Sequence, residues 1–487
     1  MHIIKKENRQ FIFCEKQVEF LQKSTLTVQY KQENERKNYV WYLAVLNFCS
    51  GFLPAFLIIY FITPKKFRNA VLFLGSIAFY TYGEAQYVLL LLASVTVNYV
   101  IARSMYKTPE DGRGRRQAVL LILALCYDFG MLFFFKYSGL TTKLPLGISF
   151  YTFQIAAYVI DVYRGIVPAE KSYVNLGTYL TMFPQLIAGP IVNYTEVSSC
   201  LKRRTVTARD FESGIRILVI GLGSKVIIAD RVGMLWNNVQ TIGFNSISTP
   251  LAWLGAVAYS MELYFDFAGY SMMAIGLGKM LGFQIPVTSV FHYISKSVTE
   301  FWRRWHITLT VVPRLCIHSA RRKPERQTAT MFNLFAVWIL TALWHGAGYN
   351  FLIWGGMLLG ALFLEKLFLL PFLQKSKVIG HVYLLLFVPV TWMAFTITDV
   401  HQLGIYLTRM FPFVNAHTDM VNSMDYIKYL KDYDSLLAMG VLFATPVPAV
   451  IYGRIKRGML GTLAIAVIFA LSMYYLAVSA NNPIFIL

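Results

Sequence analysis

Apolar stretches near the roughly 20 residues an α-helix needs to cross a hydrocarbon core about 30 Å thick recur along almost the whole chain. They fall at 53–63, 69–82, 86–102, 117–136, 174–194, 213–230, 250–282, 331–344, 350–372, 380–398, 435–452 and 458–480. With 56% hydrophobic, 16% aromatic and only 14% charged residues in 487, the composition excludes a soluble enzyme. The expected fold class is an all-α polytopic membrane protein, a multi-helix bundle of ten to twelve spans, some of them re-entrant.

Lys and Arg exceed Asp and Glu by 20. The excess gathers in short loops such as Lys65-Lys66, Arg113 to Arg116, Lys202 to Arg204 and Arg454 to Arg457. That pattern is positive-inside loop charge and not a nucleic-acid footprint. Cys14, Cys49, Cys126, Cys200 and Cys316 have no paired spacing, so neither a disulfide framework nor a structural zinc site is expected. No internal repeat of the inverted-repeat transporter kind is visible. Residues 1–40 are polar and lack the apolar core of a signal peptide, which predicts a disordered cytosolic tail.

Polar residues that interrupt apolar sequence are costly in a bilayer and mark sites. Three places qualify: MFPQLIAGPIVNY at 182–194, ELYFDFAGYSMMAIGLGKMLGF at 262–283 with Glu262 and Asp266, and the stretch from YISKSVTEFWRRWHITLT at 293–310 to LTALWHGAGYNFLIWG at 340–355. In the last, His345 is followed by small residues that leave room beside its ring, while Trp344, Phe351 and Trp354 exclude water. An imidazole in such a niche serves either as a hydrogen-bonded structural group or as a general base towards a hydroxyl or thiol. His306 has the same two readings, because Glu300, Arg303 and Arg304 make it equally one member of a solvated helix face. Cys316 and His318, with His292 or His306, match no metal-ligand spacing, and no metal is expected.

FPQLIAGPI, YFDFAGYSMMAIGLGKMLGF, YISKSVTEFWRRWH and LWHGAGYNFLIWG together resemble the membrane-bound O-acyltransferase (MBOAT) family, in its bacterial alginate and peptidoglycan O-acetyltransferase-like branch. PLGISFYTFQIAAYVIDVYRG at 145–165 and the segment 64–99 match that branch as well. The resemblance implies a bundle with a central funnel, a cytosolic acetyl-CoA donor, no bound cofactor, and an extracytoplasmic or cell-wall polysaccharide acceptor. It further implies a bacterial cytoplasmic membrane location, contact with membrane lipid, no nucleic-acid partner, and an extracytoplasmic SGNH-type acetyltransferase as partner. His345 takes the family's invariant histidine position and His306 its second active-site position. Trp344, Asn350, Glu300, Arg303, Arg304 and Asp266 are expected to shape the substrate cavity. D-alanyl transfer to teichoic acid is the alternative within the family. A proton-coupled transporter is the alternative outside it, with a non-catalytic scaffold third.

Two departures stand out. Where the branch usually reads Tyr-Ser-Asp-Met, this chain has Tyr270-Ser271-Met272-Met273. After the RRWH helix the family continues with a segment like WFRDYVYIPLGGNR, whereas Val312–Glu325 reads VPRLCIHSARRKPE. A synonymous coding of the family segment, read from its third base, translates to those residues at every position. A family-like start, MVFSSLEFLFWF, read from its second base likewise gives WYLAVLNFCSG at 41–51. A weaker case is VTSVFH at 287–292. Compensating frameshifts are therefore expected at these patches, with 1–40 a translated leader and 41–487 one membrane domain. As written, Pro313 interrupts any continuing helix there, and the Arg321-Arg322-Lys323 run suits lipid headgroups.

Overall fold

The computed structural model describes residues 46–106, 114–140, 143–186, 189–287, 291–305, 327–413 and 421–481. His306, all of 312–325, residues 1–45 and, in the 287–292 patch, 288–290 lie outside them. The described residues form helices and connecting turns with no strand, as expected where backbone polar groups must be satisfied within each segment.

The chain divides into two compact units. One holds its described ends, 46–58 and 470–481, and the other runs Ile59–Phe469. In the first, a π-helical turn at Phe48–Phe52 leads into α1 (Leu53–Ile62), whose residues from Ile59 on are assigned to the second, and Phe48, Phe52 and Phe56 stack in series at 5.7 and 5.8 Å.

In the larger unit, α2 (Arg68–Glu84) and α3 (Val88–Met105) are followed by α4 (Arg115–Tyr137) and α5 (Ile148–Tyr163). Asn98 of α3 donates to Asp128 of α4 at 2.8 Å, both side chains fully buried. Such a bond between helices satisfies polar groups that lipid cannot. The FPQLIAGP segment then breaks its apolar run. The helix α6 (Tyr173–Thr181) stops, α7 (Phe183–Leu186) makes one turn around Pro184, and over 189–193 buried irregular chain leads into α8 (Tyr194–Lys202). Gln154 and Gln185 both donate to the Tyr179 carbonyl, at 2.9 and 2.8 Å, and the Tyr179 hydroxyl donates to the Val192 carbonyl at 2.8 Å. These side chains replace part of the backbone ladder that the prolines remove.

Helix α9 (Ala208–Gly223) begins at Thr207, whose hydroxyl accepts from the Asp210 amide at 3.1 Å and donates to its carboxylate at 2.7 Å. That hydroxyl contact holds the Asp210 carboxyl below its usual range. A π turn at Ser224–Ala229 joins α9 to α10 (Asp230–Ile242). Ser248 caps the long α11 (Thr249–Met280), which lies against α9. Glycines make that contact close: a Cβ on Gly221 would sit 2.6 Å from the Gly269 carbonyl oxygen, and one on Gly276 would sit 2.6 Å from that of Gly214.

Beyond α11 come α12 (Val298–Arg304), α13 (Gln327–His345), α14 (Tyr349–Leu364), α15 (Leu370–Lys375), α16 (Lys377–Thr396) and α17 (Val400–Met410). The last described elements are α18 (Asp425–Phe443), α19 (Val447–Ile455) and α20 (Met459–Asn481). The main core is shared by α10 to α14 and α16 to α18. Among the described residues, five helical runs are long and apolar enough to cross a membrane: Lys65–Met105, Arg115–Tyr137, Tyr349–Lys375, Val378–Thr396 and Met459–Val478. The pair α18 and α19, bent by 75° where Pro446 and Pro448 enter, makes a sixth if it counts as one span.

Candidate active site

Helix α13 ends at His345 because Gly346 and Gly348 follow it, and glycine favours termination over continuation. The half-buried imidazole is enclosed by aromatic rings. Trp344 is 4.5 Å away between centroids, Phe351 stacks at 5.8 Å, and Trp354 and Phe395 present near-perpendicular rings at 5.0 Å each. These walls lower the local dielectric and hold the ring orientation.

The His345 ring opens on a cavity of about 490 Å³. Six tryptophans line it: Trp302, Trp305, Trp338, Trp344, Trp354 and Trp392. Leu263 and Phe267 of α11 complete one wall. Its charged lining groups among the described residues are Arg303 and Lys366, and no carboxylate is among those lining residues. A large apolar space with a histidine and two cations suits an uncharged reacting group attached to an anionic carrier.

The residues expected from the sequence divide by position. His345, Trp344 and Arg303 share the cavity. Asn350 is fully buried at the start of α14 and donates to the Phe395 carbonyl at 2.8 Å, so it holds together two elements that flank His345. Glu300 accepts from the Lys296 amide at 2.9 Å and pairs with Arg304 at 2.7 Å, which makes it a capping group of α12. Asp266 pairs with Lys225 at 2.7 Å, and Lys225 also pairs with Asp230 at 2.7 Å. On α11 the cavity is met by Leu263 and Phe267, while Asp266 belongs to this charged cluster with α10. Met272, in the position of the departed motif, packs towards Gly221 of α9. His306 follows the cavity-lining Trp305 in sequence and lies outside the described residues.

Other groups at the site were not singled out by the sequence reading. Lys136 and Tyr137, at the end of α4, donate to the carbonyls of Trp344 and Leu343, and the Tyr137 hydroxyl also approaches that of Gly346 at 3.2 Å. The Lys136 ammonium stands 5.2 Å from the Trp344 ring centroid. These are the carbonyls a helix C-terminus leaves without intrahelical partners, and a cation there also suits the helix dipole. Glu365 and Lys366 do carry a sequence signal, since they interrupt the apolar run 350–372.

An aromatic, cation-bearing cavity with a histidine at its wall, reached by helices of membrane-spanning length, has the chemistry of group transfer inside a membrane. A family model described as MBOAT, membrane-bound O-acyltransferase family, matches residues 169–408. The probable alginate O-acetylase AlgI of Pseudomonas aeruginosa is 37% identical over 326 residues, 62% of this chain and 62% of that protein. Its counterpart in Pseudomonas fluorescens is 35% identical over 371 residues, 74% of each chain. A peptidoglycan O-acetyltransferase of Helicobacter pylori is 31% identical over 360 residues, 63% of this chain and 67% of that one. The chain belongs to the membrane-bound O-acyltransferase family and is thereby an acyltransferase.

Proposed function

We propose that this protein transfers an acetyl group from cytosolic acetyl-CoA, through the membrane, for O-acetylation of an extracytoplasmic or cell-wall polysaccharide. The observation that carries this reading is the placement of His345 on the same cavity as Arg303 and Lys366. Similarity to an alginate O-acetylase and a peptidoglycan O-acetyltransferase supports acetyl as the group and a polysaccharide as the final acceptor.

The cations hold the phosphates of the donor while its thioester reaches into the aromatic space. His345 takes the proton of the attacking hydroxyl, that oxygen forms a bond to the acetyl carbon, and the carbon–sulfur bond breaks with the thiol leaving protonated. Tryptophan walls exclude water, which limits hydrolysis of the thioester. His306 shares or orients the proton. Ten to twelve spans and re-entrant helices surround the cavity as a funnel in a bacterial cytoplasmic membrane. An extracytoplasmic SGNH-type transferase receives the acetyl group.

The test is acetyl-CoA turnover by the full chain in proteoliposomes, with and without His345→Ala. Thioester cleavage that disappears in the variant, roughly a hundredfold or more, is the expected outcome. Turnover of a D-alanyl thioester in place of acetyl-CoA would move the reading to D-alanyl transfer. Solute flux without thioester cleavage would replace acyl transfer by transport.

A further inference from the structure

Helix α12 is short, yet it supplies Trp302 and Arg303 to the cavity, with Thr299 before them and Trp305 just after. Seven residues cannot sustain a helix by their own hydrogen bonds. Its first four amides must find acceptors, and each one does. The Phe301 amide donates to the Ser297 carbonyl at 2.9 Å, and the Glu300 amide to the Ser297 hydroxyl at 3.0 Å. The remaining two, Val298 and Thr299, donate to the two carboxylate oxygens of Glu365 at 2.6 and 2.9 Å.

Glu365 belongs to a distant element. It opens the π turn Glu365–Leu369 that continues α14, and its side chain is fully buried. The same helical run places Trp354, Leu362 and Lys366 on the cavity. One carboxylate thus joins the α14 wall to the start of the α12 wall, and the residue after it points a cation to the space between. A buried charge at this depth is costly unless it is fully hydrogen-bonded. Bidentate acceptance at a helix N-terminus meets that condition and takes advantage of the positive end of the helix dipole.

We propose that Glu365 is a positioning residue that fixes α12 against the α14 run, so that Trp302, Arg303 and Trp305 keep their places in the cavity His345 lines. It touches no reacting atom. The effect on catalysis rests on the acyl-transfer reading above, whereas the contact itself does not.

The test compares the unsubstituted full chain with Glu365→Gln and Glu365→Leu in nanodiscs. Glutamine keeps the shape but turns an amide N–H₂ towards one of the two backbone donors. Amide hydrogen exchange over 297–305 is expected to accelerate about tenfold in Glu365→Gln while α9 keeps its protection. Acetyl-CoA turnover in the same preparation is expected to lose about ten- to a hundredfold in kcat, with KM for acetyl-CoA rising as well, because the displaced wall carries both its tryptophans and Arg303. Glu365→Leu is expected to show larger effects in the same direction. Unchanged exchange in Glu365→Gln overturns the proposal, and so does faster exchange with undiminished kcat. If the unsubstituted chain turns over no acetyl-CoA, the acyl-transfer reading fails, and the exchange measurement still decides the Glu365 contact.

Discussion

His345 has a ring that is held from two directions, and they differ in how far along the chain they come from. Trp344, Phe351 and Trp354 lie within nine residues of it, so their enclosure of the imidazole was readable from the motif alone. Lys136, 208 residues before Trp344 in the chain, reaches the Trp344 carbonyl next to the histidine. Replacing it by methionine removes the donor from a carbonyl that has no other partner in its own helix. A cost of about 1–3 kcal/mol at that helix end is expected. Lys136→Met should therefore lower the thermal midpoint in detergent and reduce kcat for acetyl-CoA more than it changes KM, while Lys136→Arg retains most of both. Equal kcat in the methionine variant and the parent would remove Lys136 from the positioning of His345. No periodicity in residues 117–136 announces such a contact, because the lysine closes an apolar run in the manner of any interfacial residue. For the same reason Asp266 was readable as an intramembrane carboxylate, although its ion pair with Lys225 depends on a π turn in another helix.

Among the elements, the antiparallel pair α9 and α11 shows what apolar patterning conveys and what it omits. The run 250–282 anticipated α11 to within two residues of its observed ends, Thr249 and Met280. Its partner is specified by spacing: Gly214 and Gly221 on one helix and Gly269 and Gly276 on the other meet as Gly214 with Gly276 and Gly221 with Gly269. Close backbone approach of this kind substitutes for a hydrophobic driving force that lipid does not provide. Gly221→Val should force the backbones apart, since a Cβ there meets the Gly269 carbonyl oxygen at 2.6 Å and the Met273 amide at 2.7 Å. A loss of at least about 3 kcal/mol is expected, the upper part of the range for overpacking, because backbone cannot rotate away. Solvent denaturation in mixed micelles measures it, and a variant as stable as the parent would mean the helices are not in this register. Glycine spacing within either segment reads equally as a helix-weakening accident, and only the two taken together specify the contact. The 174–194 and 435–452 runs were less faithfully conveyed by hydropathy, because their prolines act on the backbone ladder and leave the apolar content intact.

At the scale of the whole chain, the unusual relation is between a well-formed cavity and the segment that follows its Trp302–Trp305 wall. The motifs on either side, YISKSVTEFWRRW and LWHGAGYNFLIWG, contribute residues to one cavity. Between them, 312–325 departs from the family pattern in the way a shifted reading frame does, and it lies outside the described residues. We propose that compensating frameshifts produced this patch and 41–51, leaving 41–487 as the single membrane domain of the family. The physical consequence follows from composition. The family segment is amphipathic and ends in a glycine turn, whereas the present one carries Pro313 and a run of three cations. A proline inside a continuing helix costs about 3 kcal/mol or more. Restoring the family frame across 312–325, with every other residue retained, should therefore raise both the yield of folded protein and acetyl-CoA turnover in matched membranes. Equal turnover by both versions would show that the segment as written serves the reaction, and an uninterrupted gene sequence encoding it would remove the frameshift explanation. A gain in turnover that persists when it is normalised to the amount of folded protein would place the benefit at the cavity, whereas a gain that vanishes on normalisation is one of folding alone.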